Sequence, residues 1–185
     1  MRKRFSLQTI AIALFVLAIS ASGFGQQEKG DSELGMNGAI TIQHSDPGNT
    51  SGDVTVSYGY YFTKKDLIGF DTLTILSKDL QDVFLQGRYR HLFPTGNPKV
   101  FPFVGAAAGV EIIHTGGALG GALGGGTQHP FVGTGEAGVK FFVSQRTALE
   151  VAYNLQYIHN STGGFADNSQ SLITFGFTHI FGGHH

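Results

Sequence analysis

Apolar and polar residues alternate with a period of two along most of the chain after residue 33. In 54–62, Val54 and Val56 share one face of an extended strand, whereas Thr55 and Ser57 share the other. Successive side chains of a strand point to opposite faces, so this alternation predicts β-strands. The eight predicted segments are 34–43, 54–62, 67–76, 83–93, 100–113, 131–142, 147–159 and 171–181.

Segment 67–76 has the least regular pattern. Leu67, Leu73 and Ile75 are in phase with Asp71, so one face carries both apolar residues and a carboxylate. A β-bulge, which shifts the alternation by one residue, is one explanation of this register.

The connections between the segments fall into two classes. Short, turn-like links occupy 63–66, 94–98 and 143–146, whereas longer links occupy 44–52, 114–129 and 159–169; the remaining link, 77–82, is a short exception. Membrane barrels have short turns at one end and longer loops at the other. We therefore predict an all-β fold: an eight-stranded antiparallel up-and-down transmembrane β-barrel over 33–181.

The chemistry of the two strand faces distinguishes a membrane barrel from a soluble one. The chain is only 14% charged and has 28 Gly in 185 residues, and its polar face is mostly small or neutral. A water-facing exterior would carry far more charge. Aromatic residues collect near the short turns, as in an interfacial girdle: Tyr60, Phe62, Phe93, Phe101, Phe141 and Phe181. These features favour the membrane barrel, and a lipocalin-like secreted barrel with an apolar interior is the alternative.

With the apolar face outward, the charged residues of the strands meet in the lumen. This predicted cluster contains Arg88, Arg90, Glu111, Glu136, Lys140 and Glu150. The turn near Ser144 and Gln145 sets Lys140 opposite Glu150, so we expect this pair to be in contact. An interior of eight strands is only wide enough for side chains, which favours a structural plug; an ion path or gate is the alternative.

The first residues are typical of a secretory signal peptide. Arg2, Lys3 and Arg4 precede an apolar run from Ile10 to Ala21, and small residues follow up to Gly25. We expect a signal peptide at 1–25, a short N-terminal segment at 26–32 and a C-terminal tail at 182–185. Removal of the signal peptide leaves 9 Lys and Arg against 13 Asp and Glu, a net charge of −4. Such a balance does not favour nucleic-acid binding.

Two further patterns are compared with known kinds of site. The Gly-rich stretch 116–126 is followed by a predicted strand instead of the helix of a phosphate-binding loop, and no lysine or arginine lies near it, so a surface loop is predicted. Four histidines lie where the predicted strands meet the long loops: His44, His114, His129 and His159. Their spacing matches no metal motif, and without cysteine a thiolate site is excluded. We expect no cofactor and no metal.

Three stretches resemble the outer membrane β-barrel domain superfamily of small bacterial porin-like proteins. They are Pro102–Gly109, Gly138–Phe142 and Leu149–Tyr153. The resemblance implies a barrel in the bacterial outer membrane, with membrane lipid, lipopolysaccharide and the barrel-assembly machinery as partners, and we expect a monomer. Family members usually finish on an aromatic residue, whereas four residues follow Phe181 here.

The segment from Glu150 to Gly163 also resembles lipid A 3-O-deacylases, which carry a His-x-Ser-Asn motif late in the barrel. Aligned on Glu150 and Tyr153, only Asn160 of the motif matches; a shifted alignment offers His159 and Ser161, with Asp167 as the acid. The sequence therefore predicts a non-catalytic barrel with a structural or surface-interaction role through its extracellular loops. A lipid A deacylase-like hydrolase and a narrow conduit for small apolar solutes are the alternatives.

Overall fold

Antiparallel strands form nearly all of the described structure. The computed structural model describes residues 27–43, 50–76, 80–115, 127–159 and 168–182. The strands in these ranges are β1 Ser32–Gln43, β2 Thr50–Tyr61, β3 Asp66–Leu76, β4 Leu80–Leu92, β5 Val100–Thr115, β6 Thr127–Gln128, β7 Phe131–Phe142, β8 Thr147–His159 and β9 Asn168–Phe181. The eight segments predicted from alternation are thus confirmed as strands.

Each long strand pairs with its sequence neighbours, and β1 pairs with β9 to close the sheet. The two-residue strand β6 lies two residues before β7, and both pair with β5. β6 and β7 therefore occupy a single strand position, and the nine strands form an eight-stranded barrel. The predicted eight-stranded antiparallel up-and-down barrel is therefore confirmed. In the part of the chain that is described, no helix is long and apolar enough to cross a membrane.

Strand β3 contains no bulge, so that explanation of its pattern was wrong. Its register is continuous from Tyr61↔Leu67 to Val54↔Thr74 with β2, and from Asp66↔His91 to Leu76↔Gln81 with β4. Leu67 and Leu73 are buried on the same face as Asp71, and each belongs to a different apolar cluster of the barrel interior.

Apolar side chains form two layers inside the barrel, one near the short turns and one near the long loops. The short-turn layer contains Tyr61, Leu67, Leu92, Phe103, Phe142, Ala148, Ala152 and Ile180. The long-loop layer contains Ala39, Leu73, Phe84, Val132, Ile158 and Leu172. On β4, the buried Arg88 and Arg90 lie between Phe84 of one layer and Leu92 of the other. Arg88 and Arg90 thus lie between the two apolar layers.

The outer face of the barrel carries large apolar side chains that are 37% to 56% exposed. Five of the six aromatic residues predicted for a girdle are among them: Tyr60, Phe62, Phe93, Phe141 and Phe181. Phe101 was assigned wrongly to this face. It is in phase with the buried Phe103, and its ring packs edge-on against Phe142, with 5.5 Å between centroids.

A short segment before β1 crosses the short-turn end. The Gly30 amide donates to the Tyr61 carbonyl at 2.8 Å, and the Tyr61 amide donates to the Asp31 carbonyl at 2.8 Å. Gly30 has φ of 98°, a conformation that glycine adopts at little cost. These bonds fix residues 27–31 against the end of β2.

Replacing Phe103 should destabilise the barrel strongly. The ring is 2% exposed in the short-turn layer. We expect Phe103→Ala to lower the free energy of unfolding by about 3–5 kcal/mol, because the change removes buried area and leaves a cavity. Urea titration followed by far-ultraviolet circular dichroism measures this loss. The neighbouring outward-facing Val104→Ala is the control, and an equal loss in both variants would contradict the assigned faces.

Candidate functional site in the barrel lumen

Arg90 lies at the centre of a group of buried charges. Its Nε and Nη2 donate to the two carboxylate oxygens of Glu136 at 2.8 and 2.9 Å, and its Nη1 donates to Glu150 at 2.8 and 3.1 Å. The guanidinium carbon is also 3.9 Å from the centroid of the Phe103 ring, a cation–π contact. One cation on β4 therefore joins carboxylates from β7 and β8.

Lys140 forms the second centre, nearer the short-turn end. Its ammonium is fully buried and donates to Glu33 Oε2 at 2.5 Å and to the Tyr61 hydroxyl at 3.2 Å. The Tyr61 hydroxyl in turn donates to Glu33 at 2.6 Å. Lys140 Nζ is also 3.2 Å from Glu150 Oε2, so Glu150 is shared with Arg90 and links the two centres.

Two further polar groups lie beside these centres. Arg88 pairs with Asp71 at 3.0 Å between β4 and β3. Toward the long loops, the Thr134 hydroxyl donates to Gln86 at 3.1 Å, Gln156 donates to Thr134 at 3.4 Å, and Gln170 donates to Gln156. Hydrogen bonds thus cross the barrel from β4 through β7 and β8 to β9.

The structure brings five of the six predicted lumen residues into these contacts: Arg88, Arg90, Glu136, Lys140 and Glu150. Lys140 stands opposite Glu150, the pair that the turn length predicts. Glu111 is also buried, but it pairs with Phe84 at the long-loop layer. Glu111 is six positions along β5 from Gly105, the strand partner of Arg90, which corresponds to roughly 20 Å along the strand.

Sequence reasoning missed three members of the group. Glu33 has the same phase as Gly35 and Asn37, so extending the first predicted segment by one residue would have found it. Asp71 was noticed only as an irregularity, and its partner Arg88 lies on the next strand. The inward position of Tyr61 follows from the outward Tyr60, but nothing in the sequence indicates its bond to Glu33.

Side chains fill most of the lumen. A cavity of about 70 Å³ remains between the Arg90 group and the long-loop layer, with Asn37, Gln86 and Arg88 in its wall. Such a volume holds only a few water molecules. The arrangement neutralises charge inside a narrow barrel.

The structure adds little to the two other candidate sites, the histidine metal site and the deacylase-like site at His159. Among the described residues, no group of three or more His, Cys, Asp or Glu is placed to hold a metal ion. His159 ends β8 with an exposed side chain, whereas Ser161 and Asp167 lie outside the described residues. His44, the side chain of His114 and the Gly-rich stretch 116–126 also lie outside them.

Comparisons with known proteins identify the fold. No family model matches the chain. No curated protein matches it either. Among solved structures, the N-terminal β-barrel domain of Pseudomonas aeruginosa OprF is similar, with a TM-score of 0.63 and 12% identity over 84% of this chain and 100% of that one.

Two other solved structures are similar to this chain to about the same degree. Neisserial surface protein A has a TM-score of 0.62 and 16% identity, covering 83% of this chain and 98% of its own. OprH from P. aeruginosa has a TM-score of 0.60 and 19% identity, covering 82% and 100%. The chain thus has the fold of small eight-stranded outer-membrane β-barrels, as the resemblance of 102–109, 138–142 and 149–153 implied.

Replacing Lys140 tests the coupling within the lumen. We expect Lys140→Met to lower the free energy of unfolding by about 3–5 kcal/mol, because Glu33 and Glu150 would remain buried without this cation. Adding Glu33→Gln should recover part of the loss, since one uncompensated carboxylate disappears. Urea titration measures both variants.

Lys64→Met is the matched control, since Lys64 pairs with Glu28 through side chains that are 66% and 59% exposed. This exposed pair should contribute less than about 1 kcal/mol. A loss no larger in Lys140→Met than in Lys64→Met would contradict the buried network.

Proposed function

We propose that the protein is a bacterial outer-membrane barrel that anchors surface loops, has a closed lumen and catalyses no reaction. One observation carries this proposal: large apolar side chains cover the outside of the strands, whereas the charges of Arg90, Lys140 and their carboxylate partners are neutralised inside. A soluble barrel requires the opposite arrangement, with its charge on the water-facing surface. A lipid bilayer accepts an apolar outer band.

Two features support an outer-membrane location. The fold is that of small outer-membrane barrels, including the OprF domain and OprH. The sequence also begins with three cations and an apolar run ending at Ala21, the arrangement of an export signal. The proposed partners are therefore outer-membrane lipid and lipopolysaccharide, with the barrel-assembly machinery acting during insertion.

A closed lumen is supported by the packing of its contents. The Arg90 and Lys140 centres lie between two apolar layers, and ions would have to pass both layers as well as displace paired charges. The surface role is assigned to the connections at the long-loop end. Loops held by a rigid scaffold commonly carry binding functions, and the links 44–52, 114–129 and 159–169 are the longest in the chain.

The absence of catalysis is proposed from the motif itself. In the alignment that keeps Glu150 and Tyr153, the position of the deacylase histidine holds Tyr157 and that of its serine holds His159. A motif without its structural context is weak evidence for an enzyme.

Location and fold can be tested together by gel mobility. We expect the protein in the outer-membrane fraction, migrating differently in SDS before and after boiling, because a closed barrel resists SDS until it is heated. Densitometry of boiled and unboiled samples from each cell fraction measures this. Recovery in the soluble fraction without a heat-dependent shift would contradict the proposal and favour the lipocalin-like alternative.

The closed lumen can be tested in planar bilayers. We expect the folded protein to show no steady conductance, and Glu136→Gln to leave this unchanged, because the two apolar layers remain. The exposed Glu28→Gln provides a control for surface charge. Stable wild-type conductance steps that change with Glu136→Gln, but not with Glu28→Gln, would indicate an ion path instead.

A further inference from the structure

Four residues at the short-turn end add one more inward-facing row to the barrel wall. Each stands immediately before a strand, and its carbonyl accepts the amide of a buried residue on the neighbouring strand at 2.7 or 2.8 Å. The four bonds, with the acceptor named first, are Asp31 to Tyr61, Lys65 to Leu92, Lys99 to Phe142 and Arg146 to Ile180. All four donors belong to the short-turn layer, so the row lies directly beyond that layer, at the mouth of the barrel.

Three of the four positions carry a cation, and we call Lys65, Lys99 and Arg146 the basic row. They precede β3, β5 and β8, which are two strand positions apart around the barrel. Neighbouring strands are about 4.8 Å apart, so successive members of the row are about 10 Å apart along the wall. Four of the eight strand positions separate Lys65 from Arg146, which places these two cations on opposite sides of the mouth.

The basic row is open to water. Lys65 is exposed, and Lys99 and Arg146 are half-buried. Lys65 also lines a surface cavity together with Phe101, which packs against the short-turn layer. The fourth position differs, because Asp31 is buried and its carboxylate accepts the Glu28 amide at 2.7 Å.

The two ends of the barrel differ in charge. The three short turns contain four Lys or Arg and no Asp or Glu: 62–65, 93–99 and 143–146. The four connections at the other end contain one Lys and three Asp: 44–49, 77–79, 116–126 and 160–167. Charges within about 10 Å of each other act together at physiological salt, so the short-turn end attracts anions.

The spacing of the basic row favours several linked anions over a single one. One carboxylate or phosphate placed beside Lys65 would leave Arg146, on the opposite side, without a partner. An extended peptide rises about 3.3 Å per residue, so about six residues cover the roughly 20 Å of wall between these two cations. An acidic segment can therefore meet the whole row.

A lipid headgroup fits the basic row less well, because headgroups surround the outside of the wall. The lipid-facing side carries Phe141, whereas Phe142, the backbone partner of Lys99, is buried in the short-turn layer. The row is in phase with the buried residues and not with the outward-facing girdle. It therefore faces the mouth.

We infer that the basic row docks an acidic peptide segment of a partner protein, whose carboxylates pair with Lys65, Lys99 and Arg146. Outer-membrane barrels have their short turns on the periplasmic side, so the partner would lie there. This placement rests on the proposed location, whereas the binding does not. Recovery of the protein in the soluble fraction would remove the placement and leave the binding measurement unaffected.

Binding can be measured by fluorescence anisotropy on the folded protein in phosphatidylcholine nanodiscs. The probe is fluorescein-labelled octaglutamate, and labelled octaglutamine is the uncharged control of the same length. We expect octaglutamate to bind and octaglutamine not to bind. The affinity for octaglutamate should fall at least about tenfold between about 0.05 and 0.5 M NaCl, because salt screens exposed charges.

Paired variants assign the binding to the basic row. Lys65→Met with Arg146→Met should weaken octaglutamate binding at least about fivefold, because cations on both sides of the mouth are lost. Lys29→Met with Lys78→Met is the matched control, since it removes the same charge from positions outside the row. We expect the control to change the affinity less than about twofold, and the heat-dependent gel shift shows whether both variants remain folded.

Three results would overturn the inference. Equal weakening in the two double variants would show that binding follows the total charge and not the row. Octaglutamine binding as tightly as octaglutamate would show that the carboxylates are not recognised. No binding of octaglutamate, with phosphatidylglycerol retained by the unchanged protein but lost from the Lys65→Met, Arg146→Met variant in native mass spectrometry, would assign the row to lipid headgroups instead.

Discussion

The structure depends on the mutual neutralisation of Arg90, Glu150 and Lys140 inside a narrow barrel. Ionised groups buried in a protein are costly unless paired and hydrogen-bonded. Each of these three side chains has at least one oppositely charged partner from another strand, and Glu150 is shared by both cations. Because those partners lie on β1, β4, β7 and β8, the ionic contacts also hold opposite walls of the barrel at a fixed distance.

The apolar layers above and below the charges complete this arrangement. Leu92 and Phe103 separate the ionic group from the short-turn end, and Phe84 and Leu73 separate it from the long loops. Exclusion of water strengthens each ionic contact and also raises the cost of breaking one. The same packing supports the proposal of a closed lumen, and for this reason the proposed function is assigned to the surface loops and not to the lumen.

The short-turn end differs in kind from the lumen. In the lumen, Lys140 is fully buried and bound to its partners, whereas Lys64 and Lys65 are exposed beside a cavity. The segment from Gln27 to Asp31 lies outside the barrel wall, yet backbone bonds to Tyr61 fix it there. Gln27 and Glu28 of this segment line the cavity together with both lysines.

The sequence by itself determined the strands, their faces and the contact of Lys140 with Glu150, because alternation and turn length are local properties that the chain carries in order. It misassigned Phe101 and suggested a bulge in β3, because a single strand does not reveal that the interior is apolar at its ends. Only the tertiary structure decided that Arg90 joins Glu136 to Glu150, that Glu33 and Asp71 belong with the charges, and that Glu111 lies opposite Phe84 at the long-loop layer. Those contacts join strands far apart in the sequence, so closure of the barrel and the stagger of its strands select them.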